Sequence, residues 1–275
     1  YSGLPTPYSG LNSKLQTRNS KLNMTLAPGK KVYFLSDFHL GAPDAVTSLA
    51  REKRIVAFLC QAQQDASVIF IVGDMFDFWY EYGTVVPKGY TRILGKLAEI
   101  TDSGIKVYFF VGNHDMWMSG YFEQELNIPV FYEEREYEFN GKLFLVAHGD
   151  GLGPGDHKYK FLKKIFRSRI CQWLFGVLHP SLGMGIANYF SRKSREATGK
   201  TDKEFLGEDK EWLIIFSKEK LRHKKYSYFI FGHRHLPVDL PLNEHSRYIN
   251  LGDWIRYNSY AVFDGEQLML KYYNT

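Results

Sequence analysis

The chain has 275 residues, a formal net charge of +5, 44% hydrophobic residues and 16% aromatics, which excludes a disordered polar chain and leaves room for one large core. Two cysteines, Cys60 and Cys171, are too few for a disulfide framework and read as ordinary core thiols of a reducing compartment. No apolar run reaches the roughly 18 residues that cross a bilayer and no signal peptide is recognisable, so the expected place is the cytoplasm.

In chain order, YSGL stands at 1–4 and again at 8–11, and NSKL at 12–15 and again at 19–22. No apolar heptad pattern accompanies these repeats, so they read as duplicated DNA ahead of Met24. Residues 1–23 are therefore expected to be a non-native or disordered leader, with the domain spanning 24–275. Short apolar runs rich in β-branched and aromatic residues then predict buried strands at Val32–Leu35, Val68–Val72, Val107–Val111, Leu143–Ala147 and Tyr228–Phe231. Helical periodicity over 45–64 and 88–103 separates the first three, giving βαβ units and a parallel sheet. After about residue 247, RYINLGDW, SYAVFD and LMLKYY predict a β-rich ending.

The region 155–225 breaks this alternation and reads as a helical insertion. FLKKIFRSRICQWLFGVL is expected to form one helical stretch, with Leu162, Phe166, Ile170, Trp173, Leu174 and Val177 on one side and Lys160, Lys164 and Arg167 on another. HPSLGMG predicts a turn, a second helical stretch follows, and a third is expected from about Glu208 to Arg222. Residues 155–200 hold ten bases against Asp156 and Glu196, so the positive charge of the chain is concentrated there. Two readings of the apolar stripe stand: it packs on the core beneath a solvated basic face, or it meets lipid.

Each predicted strand runs into a motif that carries chemistry: SDFHLG, GDMFDFW, GNHD, HGDG and GHRH. Loops at the carboxyl ends of strands in open α/β sheets converge on one crevice. Asp37, His39, Asp74, Asn113, His148, His233 and His235 would meet there. Carboxylate, imidazole and amide oxygen without thiolate suit Mn, Fe or Zn in a reactive site rather than a structural zinc site. Seven such groups exceed one ion's needs and fit two ions sharing a carboxylate. A pair of cations lowers the pKa of a water between them and neutralises phosphoryl oxygens during in-line attack.

In order and form, DxH, GDxxD, GNHD, HGD and GHxH resemble the signature of calcineurin-like metallophosphoesterases over roughly residues 31–255. The resemblance implies a four-layer αββα sandwich with the site at the strand ends. It implies Asp37, His39 and His235 on one ion, Asn113, His148 and His233 on the other, and Asp74 bridging. His114, next to the expected metals, is the candidate to stabilise the developing charge or to protonate the leaving oxygen. The resemblance implies that it pairs with Asp77, whose carboxylate would fix the tautomer and raise the imidazole pKa; the alternative for Asp77 is a turn or capping role.

GDMFDFW, HGDGLGPGD, the basic stretch with SRKSREA, and GHRHLP are further similar to the UDP-2,3-diacylglucosamine diphosphatases of lipid A biosynthesis. That family cleaves the pyrophosphate to UMP and 2,3-diacylglucosamine 1-phosphate, typically with two Mn²⁺ ions, under a helical lid over the acyl chains. The similarity implies a lipid-linked nucleotide substrate and peripheral attachment to the cytoplasmic face of the inner membrane, with no nucleic acid partner. It implies substrate contacts at Asn113, His114, Asp156, Ser194, Arg195, Thr198 and His233. One departure stands out: members of that family carry GNRD where this chain has His114. Two rivals remain, a phosphodiesterase or nuclease of the same fold and a scaffold that has lost catalysis, although every ligand position is filled.

Overall fold

A computed structural model describes residues 22–155, 157–198 and 204–274. Among the described residues, twelve strands form two six-stranded sheets. One sheet has β2 (Lys31–Leu35), β3 (Ala66–Val72), β4 (Lys106–Phe110) and β5 (Val130–Phe131) side by side and parallel, with β11 (Ser259–Phe263) antiparallel to β2 and β12 (Leu268–Tyr272) outermost. The other runs in the order β1 (Leu22–Met24), β6 (Arg135–Phe139), β7 (Lys142–Val146), β8 (Tyr228–Phe231), β10 (Ser246–Leu251) and β9 (Pro237–Asn243). The edge strand β1 includes Leu22 and Asn23, which pair with Tyr137 and Glu138. The domain thus takes in two residues that the sequence reading placed in the leader.

The period-two alternation of the strands determines the layers. Val32, Phe34, Val68, Phe70 and Val72 point between the sheets, where they meet Phe144, Val146, Tyr228 and Ile230. Phe34 stacks on Phe70 and on Phe144, at 4.9 and 5.9 Å between ring centroids, joining the two sheets. Tyr33, Leu35, Ile69 and Ile71 point outward onto α1 (Ala45–Ala62) and α2 (Thr91–Asp102). These helices bury Ile55, Phe58, Leu59 and Ala62, and Ile93, Leu94, Leu97 and Ile100, at helical spacing. A five-residue helix, α3 (Tyr121–Glu125), adds Phe122 to the same layer. Leu143, Leu145, Phe229 and Phe231 point the other way, and Leu213 and Ile214 cover them. The result is the expected αββα sandwich.

The helical region differs from its expected form in three ways. The first stretch is broken into α4 (His157–Phe166) and α5 (Arg169–Gly176), because Ser168 turns extended and its Oγ accepts the Cys171 N–H. HPSLGMG is not a turn: Pro180 opens α6 (Pro180–Thr198), since proline is tolerated where the first helical N–H would be unpaired, and the glycines continue the helix. The third helix, α7 (Trp212–Leu221), starts later than expected and is the layer carrying Leu213 and Ile214. Ser168→Ala should lower the thermal midpoint by about 2 °C, the equivalent of a lost cap of about 1 kcal/mol; calorimetry would read it.

The thiol expectation also fails. Cys60 is exposed and Cys171 half-buried, because Cys60 falls off the buried stripe of α1 and α5 buries no residue completely. No helix is long and apolar enough to cross a membrane among the described residues.

Candidate metal centre

The carboxyl ends of β2, β3, β4, β7 and β8 deliver the five motifs to one place. Asp37, His39, Asp74, His233 and His235 all have φ between 44° and 69°, a left-handed backbone that side-chain-bearing residues rarely adopt. Such strain persists where the surroundings impose it, commonly at functional sites. The glycines of the motifs allow the crowding. A Cβ on Gly73 would strike the His148 ring, and one on Gly232 would strike Ser36 Oγ and the Asp37 carboxylate.

Asp37 and Asp74 are each half tethered and half bare. Asp37 Oδ2 accepts from Ser36 Oγ at 2.5 Å and from the His233 N–H at 3.0 Å, whereas its Oδ1 has no hydrogen-bond donor. Asp74 Oδ1 accepts the His114 N–H at 2.8 Å, and its Oδ2 is likewise without a donor. A buried carboxylate oxygen without a donor is costly unless a cation is to be held there.

The imidazoles surround those two bare oxygens. His235 Nε2 lies 3.2 Å from Asp37 Oδ1, His39 Nε2 lies 3.8 Å from it, and the two ring nitrogens are 3.1 Å apart. His39 Nε2 and His148 Nε2 approach Asp74 Oδ2 at 3.7 and 3.4 Å. Asn113 Oδ1 sits 2.9 Å from His233 Nδ1 and 3.3 Å from His148 Nε2. The structure therefore brings together two groups, Asp37–His39–Asp74–His235 and Asp74–His148–His233, whose donor atoms lie within 4.8 Å of one another and which share Asp74. His148 Nδ1 faces the Val72 carbonyl at 2.8 Å and donates to it, so a cation in the site would meet Nε2. Asp253 Oδ2 lies 3.5 Å from His235 Nδ1.

The electrostatics have the same sense. Burial pushes the Asp37 and Asp74 carboxyls up, but the surrounding imidazoles overcome it and hold both below the usual carboxylate range. Burial pushes His148 down, yet the Asp74 carboxylate beside it raises it to about 10. His233 is pushed down to about 4 by burial and by the neighbouring His148. The cluster attracts positive charge, which a divalent cation supplies more fully than a proton. Its donor set of carboxylate, imidazole and amide oxygen fits such ions.

His114 and Asp77 meet differently from the expected pair. The Asp77 carboxylate is 3.8 Å from His114 Nδ1, and it is the Asp77 main-chain oxygen that receives this nitrogen at 3.0 Å. Burial pushes His114 below the usual imidazole range, so the expected raising by Asp77 does not prevail. Of the substrate contacts expected in the insertion, Asp156 lies outside the described residues. Ser194, Arg195 and Thr198 fall within α6, but their side chains are outside the described set.

Three further residues of the same motifs, given no role from the sequence, support the site. Asp115, the last residue of GNHD, accepts from Met75 N–H and Gly112 N–H, each at 2.8 Å, and ties two ligand loops together; burial and then Asp74 push it up to about 7. Arg234, between the two GHRH histidines, meets Glu211 at 2.9 and 3.0 Å. Asp150 of HGD holds α4, accepting from Tyr159 and pairing with Lys163 at 2.6 Å.

A family model described as calcineurin-like phosphoesterase matches residues 30–237. The chain belongs to that family. This phosphoesterase is 41% identical over 253 residues to a UDP-2,3-diacylglucosamine hydrolase of Porphyromonas gingivalis, covering 88% of this chain and 97% of the relative. It is 28% identical over 226 residues to a protein of the same name from Yersinia pestis, covering 80% and 90%. The zinc complex of Vps29 from Entamoeba histolytica aligns with a TM-score of 0.41 at 11% identity, over 87% of this phosphoesterase and 89% of that protein.

Proposed function

We propose that this phosphoesterase hydrolyses the pyrophosphate of UDP-2,3-diacylglucosamine to UMP and 2,3-diacylglucosamine 1-phosphate. The reading rests on the relative of that name, which matches this chain over nearly its own full length. The observation that carries it is a pair of metal-type clusters sharing Asp74 beside helices that keep their large apolar side chains in the open. Two Mn²⁺ ions are the proposed cofactors, one held by Asp37, His39 and His235, the other by Asn113, His148 and His233, with Asp74 shared. When bound, the ions supply Lewis-acid charge at the phosphoryl oxygens and acidify a water.

The remaining chemistry belongs to the chain. Asn113 contributes a neutral oxygen, which leaves the site cationic enough for a pyrophosphate. His114 directs Nδ1 at the Asp77 main-chain oxygen, an acceptor, so Nδ1 carries the hydrogen and Nε2 is left to exchange a proton with the leaving phosphate. The Asp37 and Asp74 oxygens tethered to His233 N–H and His114 N–H fix the loops on which these groups stand.

Helices α4–α6 support the lipid half of the reading. Leu162, Phe166, Ile170, Trp173, Leu174 and Val177 are between 37% and 72% exposed, which disfavours the alternative that this stripe packs on the core. Phe161, Tyr189 and Phe190 are exposed as well. We read this region as a lid for acyl chains that also rests against an anionic membrane surface, helped by its lysines and arginines. The large apolar groups also weigh against a groove for nucleic acid.

Incubating the protein with Mn²⁺ and UDP-2,3-diacylglucosamine should release UMP, while single-stranded DNA should stay intact; cleaved DNA with no UMP would overturn the substrate. Trp173→Ser should raise KM for the diacyl sugar by about tenfold, from the loss of part of one aromatic burial. Turnover of bis(p-nitrophenyl) phosphate, which has no acyl chain, should be unchanged. Equal effects on both substrates would remove the lid.

A further inference from the structure

Helix α6 sends a hydroxyl into the reaction centre. Ser191 is buried, although Phe190 beside it is 64% exposed, so the helix turns this one small polar group inward. Its Oγ lies 2.8 Å from Asp77 Oδ2 and 3.1 Å from His114 Nδ1. The hydroxyl donates to the carboxylate, and its lone pair then faces the ring nitrogen. The other close neighbour of Nδ1, the Asp77 main-chain oxygen at 3.0 Å, also accepts. Both contacts select one tautomer of His114 and one ring orientation. The Asp77 carboxylate in turn reaches His39, with Oδ1 3.5 Å from Nδ1.

We propose that Ser191 is a positioning residue of the hydrolysis: carried in by α6, it fixes the His114 ring and the Asp77 carboxylate, so that the reaction centre is complete only when this helix is seated. The inference rests on the hydrolase reading above and adds to it a link between the helix that presents Tyr189 and Phe190 and the group that exchanges the proton. The link also gives the chain a partner for His114, the residue that departs from the GNRD pattern.

Ser191→Ala is compatible with the helix, since alanine has the higher helix propensity. With Mn²⁺ present, kcat on both bis(p-nitrophenyl) phosphate and UDP-2,3-diacylglucosamine should fall about tenfold, the size of one lost orienting hydrogen bond, with KM and bound Mn²⁺ unchanged. In a His114→Ala background the same substitution should cost nothing further, because its effect passes through that ring. An unchanged kcat in Ser191→Ala would overturn the proposal. So would a further tenfold loss in the double variant, which would mark Ser191 as part of the scaffold only. Wild-type protein that hydrolyses neither substrate would instead bring down the hydrolase reading, and the role of Ser191 with it.

Discussion

Asp74→Ala should reduce turnover by at least ~10³-fold, since shared metal charge is worth several kcal/mol in such reactions, and should strip most bound Mn²⁺. Asp74 belongs to both donor groups, so its loss affects both ions, whereas loss of His39 or His233 affects one. Its two oxygens have separate work: Oδ1 holds the His114 N–H and Oδ2 is bare. Asp74→Asn separates the two, because an amide oxygen can still receive the His114 N–H while the charge is gone. Both variants should lose metal, measured by elemental analysis, and both should lose UMP release. If Asp74→Asn kept its metal and its rate, the charge would be dispensable and the shared role wrong.

The general frame was legible because burial on both faces of a strand leaves a direct trace. Val32–Leu35 and Val68–Val72 are continuous apolar runs since Val32 and Phe34 face the opposite sheet while Tyr33 and Leu35 face helices. The polar residue that ends each run then marks the edge of the sheet, which is why five distant motifs could be placed together in advance. The details that were missed depend on distances the sequence does not encode. Ser168 is one serine among several, and only its extended backbone makes it a cap. Ser191 opens the SRKSREA stretch, but nothing in those letters aims it at the site; it matters because α6 lies beside Asp77. At Asp77 the main-chain oxygen lies nearer His114 Nδ1 than the carboxylate does, 3.0 against 3.8 Å, a difference set by the turn and not by the residue type.

Ligand geometry and proton transfer can be separated experimentally at His114. His114→Ala should slow hydrolysis by about 100-fold, within the usual range for acid–base groups, with KM nearly unchanged. The bond that holds Asp74 Oδ1 comes from the His114 main chain, which alanine retains, so the metal centre should keep its shape and its Mn²⁺ content. The counter-argument is also geometric: His114 forms a third group with His39 and Asp77, all within 4.8 Å, and its ring meets that of His39 edge-on at 4.7 Å. If that group held an ion, His114→Ala would lose metal together with rate. Metal analysis beside single-turnover kinetics decides between these outcomes. The geometry favours proton transfer, because Nδ1 faces the Asp77 carbonyl and the Ser191 hydroxyl at 3.0 and 3.1 Å, and a nitrogen that carries its hydrogen there has no lone pair to offer an ion between those residues.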